Sequence, residues 1–193
     1  MGRSTTFDRD DVVRAARDVF WARGYGEAGI AELEEATGVK RSSLYHAFGS
    51  KKGLFAAVAS AYLDDVVRTR IDPLRRADAG PAALADYIRE MREAISAGPS
   101  GCLLLNAACA PVVDDDPDVR DLVVAYTDEL RAAIGAGVAL ARPDLSAASC
   151  AALSEVCSSL VISALAVARV DRDAAIQSLD AVPRTLDAWE SAA

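Results

Sequence analysis

The sequence predicts an all-α chain of about nine helices. Three short ones at the N-terminus have the form of a helix-turn-helix, and a larger helical part follows. Three observations carry this. Apolar residues recur at helical spacing almost throughout, and no period-2 strand pattern persists. Aromatics are only 6% of a chain that is 52% hydrophobic. Glycine and proline punctuate the chain at intervals suited to helix ends.

The first helix is expected over 8–23. Asp8 is its N-cap, Asp11 lies in the first turn, and Phe7 with Val12 forms a hydrophobic staple. Val12, Ala16, Val19 and Phe20 form the apolar stripe, and Gly24 closes the helix. The second helix (30–37) turns Ile30, Leu33 and Ala36 inward. Gly38 makes a tight turn into the third (41–48), which buries Leu44 and Phe48. Gly49 breaks it. Ser50 caps the fourth, which uses Leu54, Phe55, Val58, Tyr62 and Val66 and reaches about Arg76. Helices five to nine are expected near 82–97, 102–110, 117–140, 146–169 and 172–190; Asp114–Asp115–Asp116–Pro117 starts the seventh, with Pro117 at its first position after an acidic cap. Pro183 predicts a kink in the ninth or a later start.

The 193 residues carry a net charge of −8, unevenly spread. Residues 1–55 hold nine Lys/Arg and eight Asp/Glu (+1), including all three lysines, and the remainder carries −9. The stretch TGVKRSSLYHAFGSKK, residues 37–52, has four cations (Lys40, Arg41, Lys51, Lys52), the single histidine His46, and no acid. No uninterrupted apolar run reaches the ~18 residues of a membrane span. The start, MGRSTTFDRDD, lacks a secretory core, and Asp10 and Asp11 disfavour myristoylation of Gly2. A cytoplasmic location is expected.

Catalytic constellations are missing from the pattern. One histidine supports no Ser–His or Cys–His pair, no phosphate-cradling glycine loop occurs, and Cys-x6-Cys is not a zinc spacing. The chain is expected to be no enzyme and to need neither cofactor nor metal. Cys102, Cys109, Cys150 and Cys157 fall in two pairs seven residues apart. Within one helix that is ~10.5 Å of rise, too far for a disulfide.

Residues 22–55, ARGYGEAGIAELEEATGVKRSSLYHAFGSKKGLF, resemble the TetR family of transcriptional regulators. The similarity lies in Gly-aromatic, a short helix, a Gly-Val turn, Leu-Tyr-x-x-Phe and a Ser-Lys helix start. It implies a DNA-binding domain over 1–50 and an effector-binding and dimerisation domain over 51–193. By that resemblance Lys40, Arg41, Ser42 and Tyr45 lie where members reach bases, and Ser43, Tyr45, His46 and Lys51 where they touch phosphate. It further implies a homodimer on a palindromic operator, acting as a repressor released by a small-molecule effector. Tyr62, Tyr87, Met91, Ile95, Cys102, Leu105, Asn106, Cys109 and Tyr126 are the candidate pocket lining. Ala151, Leu153, Ser154, Ser158, Leu160, Val161, Leu186 and Trp189 are the candidate dimer contacts.

Departures from the pattern accompany it. Gly29 stands in place of a capping Ser or Thr, Lys40 in place of a small polar cap, and Ala47 in place of a frequent histidine. Glu27, Glu32, Glu34 and Glu35 make the second helix acidic, so those carboxylates are expected to point away from DNA. Two alternatives stand beside this reading. One is a thiol-based sensor of oxidants or electrophiles, with Cys102 activated at a helix N-terminus and open to solvent. The other is a helical ligand-binding dimer that has lost DNA binding.

Overall fold

The computed structural model describes residues 7–97, 101–108, 110 and 112–190. Among these there are nine main helices and no strand. They are α1 (Arg9–Glu27), α2 (Ile30–Thr37), α3 (Arg41–Phe48), α4 (Lys51–Tyr62), α5 (Ala83–Ala97), α6 (Leu103–Ala108), α7 (Pro117–Ala141), α8 (Ala147–Val167) and α9 (Arg172–Ala188).

The expected caps explain most boundaries. Asp8 accepts from the amides of Asp10 and Asp11, Ser50 from Gly53, and Asp116 from Asp118 and Val119; Asp171, not among the expected caps, accepts from Ala174 in the same way. Each satisfies amides that a helix start leaves open. Gly24 takes φ +79 but only kinks α1, which resumes to Glu27. Gly38 sits in the left-handed region (φ +67) and sets the turn from α2 to α3. Ala36 is exposed rather than inward; Leu33, at 0% exposure, is the fully buried residue of α2, and Ile30 packs half-buried against the core beside it. Pro183 neither breaks α9 nor delays its start.

Beyond α4 the chain does not straighten into a loop. Leu63–Arg68 is wound as a π-helix, Thr69–Ile71 returns to α, and Asp72–Arg75 tightens to 3₁₀. The wide π turn turns Leu63 and Val67 inward. α4 packs on α1 at one end and on α7 at the other. Phe20, Tyr25 and Phe55 join its first turns to α1, with Phe20 and Phe55 edge-to-face at 5.1 Å.

α8 corrects the expectation about membrane-length segments. It is 21 residues long and, by length and composition, apolar enough to cross a bilayer. Hydropathy summed over a helix passes through the serines that interrupt the apolar run. Only 33% of its most apolar window is buried, against α7 and α9, so an apolar face stays uncovered within one chain.

Candidate nucleic-acid interface and interior cavity

α3 is pinned from below by Leu44 (0% exposed) and Phe48, with Val39 closing the turn. Its opposite side carries Lys40, Arg41, Ser42 and His46, all exposed, and half-buried Ser43 and Tyr45. Arg41 and Tyr45 are one turn apart, and the guanidinium lies 5.0 Å over the ring. α3 itself contains no acid.

Lys40 gives α3 no side-chain cap. The cap comes from α2 instead, where Glu34 Oε1 accepts from the Arg41 amide at 2.9 Å. This overturns part of the expectation that the α2 carboxylates turn away. Glu32 does so, pairing with Arg23 at 2.9 Å and accepting from the Gly29 amide. Glu34 is drawn to α3 because the open amides and the helix dipole attract an anion there. Glu32 thereby satisfies the amide at Gly29, where the expected hydroxyl is lacking.

Lys51 is held back from the surface. Its Nζ donates to the Gly26 carbonyl at 3.3 Å and lies 4.7 Å over the Tyr25 ring. Desolvation lowers its pKa, opposed by Glu27. Arg9, which sequence reasoning passed over, donates to the Ala47 carbonyl at 2.9 Å and covers the Phe48 ring. It complements the C-terminal end of α3, and no sequence signal separates it from other surface arginines.

A cavity of about 100 Å³ lies between α1, the end of α4 and its π continuation, α5, the residues just before α6, α7 and α8. It gathers Tyr62, Tyr87, Met91, Ile95, Cys102 and Tyr126 of the candidate lining. Leu105 and Asn106 lie outside it; Asn106 packs beside Gly101, and its buried Nδ2 has no hydrogen-bond partner among the described residues. Cys109 lies outside the described residues. Trp21, Val66, Arg70 and Leu165 are among the further lining residues and were not anticipated there. Cys102 is 2% exposed, which removes the solvent access that the thiol-sensor alternative needs. Burial holds all three phenols well above the usual tyrosine range, and the hydroxyls of Tyr62 and Tyr126 turn toward the Cys102 thiol.

The cavity touches the N-terminal helices directly. Trp21 Nε1 donates to the Gly101 carbonyl at 3.0 Å, and its ring meets Tyr62 edge-on at 5.2 Å. Arg169, after α8, donates to the Ala22 carbonyl at 2.6 Å, at the kink of α1.

The candidate dimer residues divide. Leu153, Ser158, Val161 and Leu186 are buried within their own chain, where they hold α8 and α9 together. They cannot form the uncovered face, and that is a correction to the sequence reading. Ser154, Leu160 and Trp189 are half-buried and Ala151 is exposed. The uncovered side of α8 instead carries Ala152, Val156, Ser159 and Ser163, spaced one turn apart, with Val156 at 38% exposure.

Residues 12–58 match the family model described as bacterial regulatory proteins, tetR family. The HTH-type transcriptional repressor ComR of Escherichia coli (strain K12) is 35% identical over 123 residues, 62% of this chain. BdcR of the same organism, also an HTH-type transcriptional repressor, is 31% identical over 65% of the chain. The matched region spans 58% and 62% of those two proteins' own lengths. Among solved structures, a cysteine mutant of the regulator CifR in complex with a 26-bp operator duplex is 33% identical. It superposes with a TM-score of 0.79 over 97% of this chain and 100% of that one.

Proposed function

The chain belongs to the TetR family of bacterial regulatory proteins, and from that premise we propose how it works. It is a homodimeric, ligand-responsive repressor that grips a palindromic operator through α3 and lets go when a small molecule fills the interior cavity. Residues 1–50 read DNA, and 51–193 bind the effector and the second protomer. It acts in the cytoplasm, where the operator is.

One observation carries the DNA reading: the exposed Lys40–Arg41–Ser42 edge of an acid-free α3, on a chain that is otherwise acidic. DNA is a line of phosphates, so the local sign governs binding more than net charge does. Set in the major groove, α3 presents Arg41 to the N7 and O6 of a guanine, and Lys40, Ser42 and Tyr45 flank it. Ser43 and His46 face the backbone. Lys51 acts mainly by fixing α4 to the end of α1, because its ammonium is already engaged there.

Release follows from the shape of α4. Its first turns pack on α1, and its continuation supplies Tyr62, Val66 and Arg70 to the cavity wall. Trp21 forms a second link from α1 to the same wall. A ligand that fits the cavity better in one tilt of α4 shifts the population toward that tilt. The two α3 helices then leave the ~34–36 Å spacing of adjacent half-sites.

The test is fluorescence anisotropy with duplexes from upstream of the chain's own gene. Wild type is expected to bind one palindrome with salt-dependent affinity. Arg41→Ala is expected to lose about 1–3 kcal/mol of discrimination at a single base pair per half-site. Unchanged discrimination across operator variants removes Arg41 from base reading, and absence of binding to any upstream duplex refutes the repressor.

A further inference from the structure

The arginines around the cavity are not equivalent. Arg68 pairs with Glu129 at 2.7 Å and with Asp64. Arg75 pairs with Asp72 at 2.8 Å. Between them Arg70 lines the cavity, and among the described residues no carboxylate or hydrogen-bond acceptor meets its guanidinium. The carboxylates of its own segment are taken by its neighbours or, for Asp65, lie exposed without pairing to it. Arg70 is half-buried, and its guanidinium, unpartnered among the described residues at an otherwise uncharged cavity, is a strong anion receptor held ready.

The remaining lining defines the anion. Tyr62, Tyr87 and Tyr126 bring phenol groups, and Met91 and Ile95 bring apolar surface. Burial keeps the phenols protonated, so each has an O–H to donate, those of Tyr62 and Tyr126 by turning from the Cys102 thiol. The positive field of Arg70 reaches Tyr62 and Tyr87, where it favours negative charge. The volume, about 100 Å³, is smaller than the roughly 150 Å³ apolar cavity that accepts benzene. It suits about four to six non-hydrogen atoms.

We infer that the cavity binds a small aliphatic monocarboxylate, its carboxylate forked on Arg70 and hydrogen-bonded by the phenols, its short chain against Met91 and Ile95. This rests on the reading of the cavity as the effector site and names the ligand's chemical class. Neutral molecules of the same shape leave Arg70 unpaired and bind more weakly.

The test uses the full-length dimer, calorimetric titration and thermal shift. Its probes are straight-chain acids from acetate to octanoate, the matching primary amides, and inorganic phosphate. Acids near butyrate are expected to bind best, about tenfold or more tighter than their amides, with phosphate weaker than both. Arg70→Met is expected to weaken the best acid about ten- to hundredfold while leaving its amide unchanged. Arg184→Met, at an exposed arginine away from the cavity, is expected to change neither. The wild-type comparison of acid with amide stands even where Arg70→Met misfolds.

Equal binding of acid and amide, binding of no acid in the series, or phosphate binding as well as butyrate overturns the inference. Operator release is read separately. An acid that binds through Arg70 without releasing DNA upholds the carboxylate site and sinks the effector reading. Neutral compounds that bind in the cavity and release DNA, with acids inert, uphold the effector reading and sink this one.

Discussion

Glu34 serves the recognition helix and opposes its target. Its carboxylate caps α3 at the Arg41 amide, yet it sits beside the surface offered to phosphate. The two effects separate by substitution. Glu34→Gln keeps an acceptor oxygen and removes the charge. It is expected to leave the melting temperature nearly unchanged and to tighten operator binding about threefold at low salt, an advantage that fades as salt rises. Glu34→Ala removes the cap as well and is expected to cost about 1 kcal/mol of stability in denaturant titration. The buried acids of the cavity and of α8 have their own pH signature. Burial raises Cys157 to about 11 and carries Tyr62, Tyr87 and Tyr126 well above their usual range. A folded-state pKa above the unfolded value means stability that is complete at neutral pH and falls as pH rises past the unfolded value. The protein is therefore expected to lose stability progressively above about pH 9. Native Cys157 is expected to resist a thiol reagent that labels it after denaturation. Rapid labelling of the folded protein at pH 7 contradicts its burial.

At the scale of elements, α7 and α9 are joined by one side chain. Arg142, just past α7, donates to the carbonyls of Leu186 and Trp189 at the end of α9, and forks onto Asp144. It thus serves carbonyls that a helix end leaves open. Arg142→Met is expected to lower the melting temperature, as loss of hydrogen bonds from a charged donor does, with the C-terminal amides of α9 exchanging faster. Its partner adds an acid limb. The Arg142 guanidinium holds the Asp144 carboxyl down at about 2, so their mutual stabilisation is present above the ordinary carboxylate range and lost as pH falls toward 2. The variant is expected to lack that limb in melting temperatures taken across acid pH. How much of the elements was legible is plain here. Asp8, Ser50 and the Asp116–Pro117 start announced α1, α4 and α7, because capping depends on neighbours in sequence. The π turn of Leu63–Arg68 was not legible, since it answers to packing around the cavity.

The whole molecule depends on two copies holding two α3 helices at a fixed distance. α8 leaves Ala152, Val156, Ser159 and Ser163 uncovered, small residues that let a second α8 approach closely. Val156→Arg is expected to yield monomers in light scattering and to lose about a hundredfold or more in operator affinity, because the linked second half-site is forfeited. Leu153→Ala, inside the chain, is expected to cost about 2–5 kcal/mol of stability without shifting the monomer–dimer balance at temperatures where it is folded. Were Leu153→Ala to dissociate the dimer while Val156→Arg stayed dimeric, the assignment of the two faces would be reversed.

What the sequence by itself determined is local and periodic. It set the helix order, the caps, the Gly38 turn, the buried Leu44 and Phe48, and a stretch of cations without acids from residue 37 to 52. These follow from spacings of one to four residues, where the backbone repeat alone fixes which side chains are neighbours. The tertiary structure decided the matters of partnership: that Glu34 caps α3, that Lys51 is tied to Gly26, that Leu153 and Val161 look inward while Val156 looks out. It also decided that Arg70, at the cavity, is left without a carboxylate among the described residues, while Arg68 and Arg75 are paired. The reason is physical. An ion pair or a buried face is a relation between residues far apart in the chain, and helical periodicity fixes which residues share a face but not what that face meets.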